Sequence, residues 1–209
     1  MISKKLYAVV LLFFAVVVLS AQSQETEALK LYNNGKYQQA IEQCKKEIEA
    51  SPENLDAYTV LCWALIKKGQ YREAEYWATE GLRIGQYEHR LIEALAETKY
   101  FLGNNDDALS FFQQYISLVR TNASRVGEAY YYMGEIYIRK AMFHHADIAL
   151  TVAVRFAPRN DNWLVRLGYA REMAKSYRDS ALAYTKALEI NPTQQDAIRG
   201  QERISKYIY

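Results

Sequence analysis

Proline occurs three times and glycine nine times in 209 residues. That is too few turn-formers for a sandwich or barrel of many short strands, so the scarcity favours helices. The motifs of enzymatic chemistry are missing as well. There is no GxSxG elbow, no HExxH, no phosphate-cradling glycine loop and no CxxC; nucleophilic and metal-dependent catalysis have nothing to stand on, and a non-catalytic protein is expected. Histidine is confined to His89, His144 and His145. The adjacent pair sits with Asp147 at the start of a helical pattern, where neighbouring side chains diverge by about 100° and do not converge on one ion, so no metal and no cofactor is expected. No cysteine follows the N-terminal apolar run, so the usual bacterial lipid-attachment signal is missing.

What is present begins with that run. Lys4 and Lys5 precede an apolar stretch from Leu6 to Leu19, and Leu19-Ser20-Ala21 offers small residues before Gln22. This is the layout of a secretory signal over residues 1–21, and export follows, with the periplasm as the preferred destination. The alternative is an uncleaved anchor that holds a structural subunit or spacer of an envelope assembly at the membrane, although the run falls short of the ~20 residues of a permanent span. Without Lys4 and Lys5, the 26 basic residues fall to equality with the 24 acidic ones. A neutral chain has no general attraction for phosphates, which disfavours nucleic acid as a partner.

From Gly127 to Asn160 the apolar residues recur in steps of three and four: Tyr130, Met133, Gly134 and Tyr137, then Ala146, Leu150, Ala153 and Val154, with Pro158 stopping the second pattern. The spacing predicts two amphipathic helices joined by a short break. The same pattern recurs upstream around Gly35, Gly69 and Gly103, which are 34 residues apart. In the later units the equivalent breaks fall at Ala141 and Lys175, after a four-residue insertion around Arg120-Thr121-Asn122-Ala123. A period of this length means stacked units, each covering its neighbour's apolar face.

On these residues the chain resembles the tetratricopeptide repeat proteins. The matching positions include Leu31, Gly35, Tyr37, Ala40 and Pro52 in the first unit, Leu65, Gly69, Tyr71 and Ala74 in the second, and Ala96, Gly103, Ala108 and Phe112 in the third. The fourth matches at Gly134, Phe143, Ala146 and Pro158, and the fifth at Leu167, Gly168, Tyr177, Ala187 and Pro192. Unit three is the weakest match, with Lys99 and Asn105 where the family prefers aromatics; Arg171 and Ser180 are departures in unit five. The resemblance implies an all-α fold, a right-handed α-solenoid of about five helix-turn-helix hairpins (21–54, 55–88, 89–122, 127–160 and 161–194, within a solenoid over 22–194) plus a capping helix over 195–209.

In that frame Cys44 and Cys62 lie on helices expected to pack together, which leaves two outcomes open, a pair of buried free thiols or a disulfide in an oxidising compartment. The resemblance also implies that first helices line a concave groove. Projected onto this sequence, the groove holds Trp63, Ile66, Glu93, Glu97, Tyr100, Phe101, Glu128, Tyr131, Glu135, Ile138, Val165, Tyr169, Glu172 and Met173. That surface is apolar and acidic, and the function expected is a scaffold for protein-protein interaction in the cell envelope, its partner a protein or peptide of basic and hydrophobic character.

Overall fold

The computed structural model describes residues 26–208. Among them are eleven α-helices and a short 3-10 turn, and no strand. In chain order they are α1 (Glu27–Asn33), α2 (Tyr37–Ala50), α3 (Leu55–Lys67), α4 (Tyr71–Ile84), α5 (His89–Phe101), α6 (Asn105–Leu118), α7 (Val126–Arg139), α8 (Phe143–Phe156), α9 (Asp161–Met173), α10 (Tyr177–Ile190) and α11 (Gln195–Ile204). The expected signal over 1–21 lies outside the described residues, and no described helix is long and apolar enough to cross a membrane.

Helices pair as antiparallel hairpins, α1 with α2 through α9 with α10, and each hairpin packs on the next. Every hairpin turn is the same object. The amide of Lys36 donates to the Leu31 carbonyl, and Gln70, Asn104, Met142 and Ser176 donate to the carbonyl five residues back in the same way. This closure requires a left-handed residue just past the first helix. It is Gly35, Gly69 and Gly103 at φ of 73°, 71° and 82°, and then Ala141 and Lys175 at 56° and 63°. A Cβ in this conformation costs roughly 1–2 kcal/mol, so the last two turns are held under strain that glycine avoids in the first three.

Every first helix but α7 starts on a side-chain cap, with Asn54 and Asn160 accepting from the amides of Ala57 and Trp163 at 3.2 and 3.1 Å. Such caps satisfy amides that a helix start leaves free. Small residues set the helix spacing. A Cβ on Gly134 would fall 2.5 Å from the Leu150 side chain, and one on Gly168 2.6 Å from the Tyr184 ring. Gly200 of α11 leaves no room against the same ring either, so Tyr184, fully buried, is packed against both α9 and the last helix.

The insertion lengthens a loop, and α6 keeps the fourteen residues of its counterparts. Residues 119–125 separate α6 from α7, where the other hairpins are joined by four residues. Successive first helices also touch one another, α1 with α3, α3 with α5, α5 with α7 and α7 with α9, and the second helices show no comparable packing. The first helices therefore occupy the inner side of the stack.

Candidate functional site

The inner side is built from rings and ion pairs. Tyr131 stacks on Trp163 with centroids 5.0 Å apart, Tyr100 lies 4.7 Å from Tyr132, and Tyr32 approaches Trp63 at 5.8 Å. Trp63 and Tyr131 are half-buried, while Ile66, Tyr100 and Val165 are buried and give a partner little to touch. Phe101 is exposed and stacks on Tyr71 at 4.7 Å. Met173 is also exposed and borders a shallow depression of about 440 Å³ with Met142, His144 and His145. Ile138 and Tyr169 are half-buried, the latter beneath the Arg166 guanidinium at 5.3 Å.

The carboxylates are not the free acids that the sequence suggests. Glu93 and Glu97 of α5 are buried, and Arg125, at the head of α7, reaches both. Its Nε and Nη2 donate to Glu93 Oε1 at 2.9 and 2.6 Å, and Nη2 also donates to Glu97 Oε2 at 2.8 Å. The Tyr132 hydroxyl donates to the other Glu97 oxygen at 3.0 Å, whereas Glu93 Oε2 is buried with no partner. One guanidinium facing two carboxylates leaves a surplus negative charge in a dry place, and the orphan oxygen is where a proton removes it. Burial accordingly pushes the Glu93 carboxyl up to about 7, against the pull of Arg125, with Glu97 adding to the rise. Arg125 is itself held above the usual guanidinium range by the two carboxylates, which outweigh its own desolvation. Ion pairing and protonation coexist here: Arg125 stays charged, and the cluster sheds its excess charge at Glu93.

The same arrangement repeats further on. Arg166 Nε donates to Glu135 at 2.6 Å, and Arg203 of α11 holds Glu172 through Nε and Nη2 at 2.7 and 2.8 Å. Tyr184 also donates to Glu172 at 2.7 Å. Glu172 lies below the ordinary carboxylate range, because these bonds outweigh the cost of its burial. Arg139 lies over the Tyr100 ring at 3.9 Å and donates to that residue's carbonyl. Of the groove acids, Glu128 alone forms no ion pair among the described residues, although its charge also acts on Arg125. The four arginines and Tyr132 did not figure in the sequence expectation. For Arg166 and Arg203 the signal that could have found them is a Glu in one first helix followed by an Arg 31 residues later.

Cys44 and Cys62 are both buried and both free. Burial raises both thiols, Cys44 to about 12 and Cys62 further still with Cys44 beside it, so neither is a ready nucleophile or ligand. No group of three His, Cys, Asp or Glu side chains placed to hold a metal ion occurs among the described residues.

Residues 31–86 match the family model of the tetratricopeptide repeat. No sequence among the curated proteins matches the chain. Among solved structures, MamA protein is 19% identical, with 87% of this chain and 92% of MamA covered and a TM-score of 0.65. YrrB, described as a TPR protein with an unusual peptide-binding site, is 18% identical over 90% of this chain and 97% of its own, at a TM-score of 0.68. PilF of Pseudomonas aeruginosa is 13% identical over 86% of this chain and 80% of its own, at 0.74. At such identities the likeness is one of fold. Residues 31–86 are thus a tetratricopeptide repeat segment in sequence, and the repeated hairpins with their shared turn geometry give the described residues the fold of tetratricopeptide repeat proteins.

Proposed function

We propose that the protein is an exported, non-catalytic scaffold that holds a segment of another protein against the inner side of its stack. The observation that carries this is the row of half-exposed rings on the first helices, Trp63, Tyr131 and Tyr169 with Trp163 stacked behind Tyr131. Rigid aromatic side chains with a polar edge are the usual anchors of protein recognition. Here they sit on elements fixed from both neighbours, so little ordering remains to be done on binding. The peptide-binding site named for YrrB, a protein of the same fold, supports the class of ligand. The signal-like residues 1–21 support export, and in a cell with two membranes the periplasm is the preferred destination.

A photo-crosslinking residue placed at Tyr169 on the inner side, and separately at Ile148 on α8, tests the reading in the native cell. Ile148 is 68% exposed and belongs to a second helix. Protein adducts that form from position 169 and not from 148 are expected. The same adducts at the same yield from both positions would overturn the groove. N-terminal sequencing of the protein recovered from the cell tests export, with a mature start at Gln22 as the expected result.

A further inference from the structure

The charge sign of the partner follows from which member of each ion pair lies on top. In all three pairs the acid is underneath. The Glu93 and Glu97 side chains are 1% and 8% exposed against 34% for Arg125. Glu135 is 12% exposed against 33% for Arg166, and Glu172 12% against 48% for Arg203. A carboxylate capped by a guanidinium keeps its attraction for that guanidinium and offers little to a ligand: both oxygens of Glu97 and of Glu172 are bonded within the protein, and Glu135 keeps only its Oε2 without a partner among the described residues. The guanidinium, by contrast, has donors to spare. Arginine carries five N–H groups, and the Nη1 of Arg125, both Nη of Arg166 and the Nε and Nη2 of Arg139 bond nothing among the described residues.

We propose that the segment bound on the inner side is acidic, its carboxylates taking the unused N–H groups of Arg125, Arg139 and Arg166 while its apolar side chains lie on the Tyr and Trp rings. This rests on the inner side being the binding face, and it reverses the basic partner that the sequence alone suggests. Guanidinium groups stacked on or beside rings, as Arg139 is on Tyr100 and Arg166 on Tyr169, present their edges outward, and the fork geometry matches a carboxylate. Nucleic acid is the poorer fit. The three arginine-carboxylate pairs leave almost no net charge to release counterions from a phosphate backbone, whereas hydrogen bonding to carboxylates needs only free donors. Two groups on this side oppose the assignment, the unbonded Oε2 of Glu135 and the half-buried Glu128, whose charge also acts on Arg125.

The test is selection of a displayed random library of 12-residue peptides on the full chain, followed by fluorescence anisotropy of the enriched peptides, their Lys-for-Glu twins and an oligo-dT of 12 nucleotides. Expected are enriched peptides with more Asp and Glu than Lys and Arg, a loss of at least tenfold in affinity for the Lys twins, and weaker binding still for the oligonucleotide. In the double variant Glu135→Gln/Arg166→Met, which removes both charges and orphans neither, the acidic preference should fall at least fivefold. Arg139→Met, at an exposed position, should act in the same direction, and Glu128→Gln should strengthen binding. Enrichment of basic peptides, twins of equal affinity, or tighter binding of the oligonucleotide would each overturn the sign assigned here and leave the inner side as the binding face. No enrichment at all, with the indole signals of Trp63 and Trp163 unmoved by any peptide, would overturn the binding face itself and this inference with it.

Discussion

Arg125→Met strands two buried acids at once. It takes away the only cation among the described residues that touches Glu93 and Glu97, two carboxylates that are 1% and 8% exposed. Removing one side of a buried ion pair costs about 3–5 kcal/mol, chiefly because the charge left behind has no water. Against a total of about 5–15 kcal/mol for a folded domain, that is a large share. With a urea dependence of about 2 kcal/mol per molar, the unfolding midpoint at pH 8 should drop by about 2 M. The loss must shrink with pH, because a carboxyl that can protonate escapes the penalty. At pH 5 Glu93, already pushed up to about 7, is neutral, and a midpoint shift of less than half that at pH 8 is expected. The triple variant Glu93→Gln/Glu97→Gln/Arg125→Met should recover most of the stability, since no charge is then stranded. Hydrogen exchange should locate the weakening at the 119–125 loop and the facing ends of α5 and α7. A drop below about 1 kcal/mol at pH 8, or the same drop at both pH values, would refute the reasoning.

Other outcomes follow from the same geometry. In the wild type, Glu93 binds its proton more tightly folded than unfolded, so its contribution is fully present below about 4.5 and is lost as pH rises through about 7. At roughly 1.4 kcal/mol per tenfold, stability should fall by up to about 3 kcal/mol across that window, and Glu93→Gln should flatten the slope in urea melts. Ala141→Gly and Lys175→Gly relieve left-handed strain of roughly 1–2 kcal/mol each and return part of it as unfolded-state entropy; each should stabilise by about 0.5–1 kcal/mol in thermal melts. Gly200→Ala drives a methyl into the Tyr184 ring and should cost about 1–3 kcal/mol, with faster exchange confined to α10 and α11. Cys44 and Cys62 should react with a thiol reagent only at the rate of unfolding, and non-reducing mass spectrometry should find both free.

The turns were legible because their period is rigid. Three glycines at equal spacing place the fourth and fifth breaks at Ala141 and Lys175 after allowing for four inserted residues, and both adopt the left-handed backbone that glycine adopts in the others. The sign of the inner side was not legible from one unit at a time. Projecting Glu93, Glu97, Glu135 and Glu172 onto a helix face shows where they point, but whether they meet solvent depends on a residue of the following unit. Arg125 adds a second difficulty, since it belongs to the inserted loop and has no counterpart in a regular 34-residue frame. The insertion was readable as extra chain; that it delivers a cation to two buried acids was not.

The four departures from the family pattern carry a related lesson. Lys99 bonds Glu75 and Asp107 at 2.8 and 3.1 Å, and Asn105 accepts from Arg139 at 3.3 Å. Arg171 holds Asp147 at 2.8 Å, and the Ser180 hydroxyl donates to the Gly168 carbonyl at 2.8 Å. Each polar substitute bonds a neighbouring helix where the regular residue would only fill space, so a departure scored as weak resemblance is a specific contact. Ser180 tests this most cleanly, because its counterparts Ala40, Ala74, Ala108 and Ala146 are all fully buried alanines. On the pattern alone, Ser180→Ala regularises the fifth unit and should be neutral or stabilising. The hydrogen bond predicts the opposite, a loss of about 0.5–1.5 kcal/mol in the urea midpoint. An unchanged or raised midpoint would mean that the hydroxyl is tolerated at this position and does not help to hold α9 against α10.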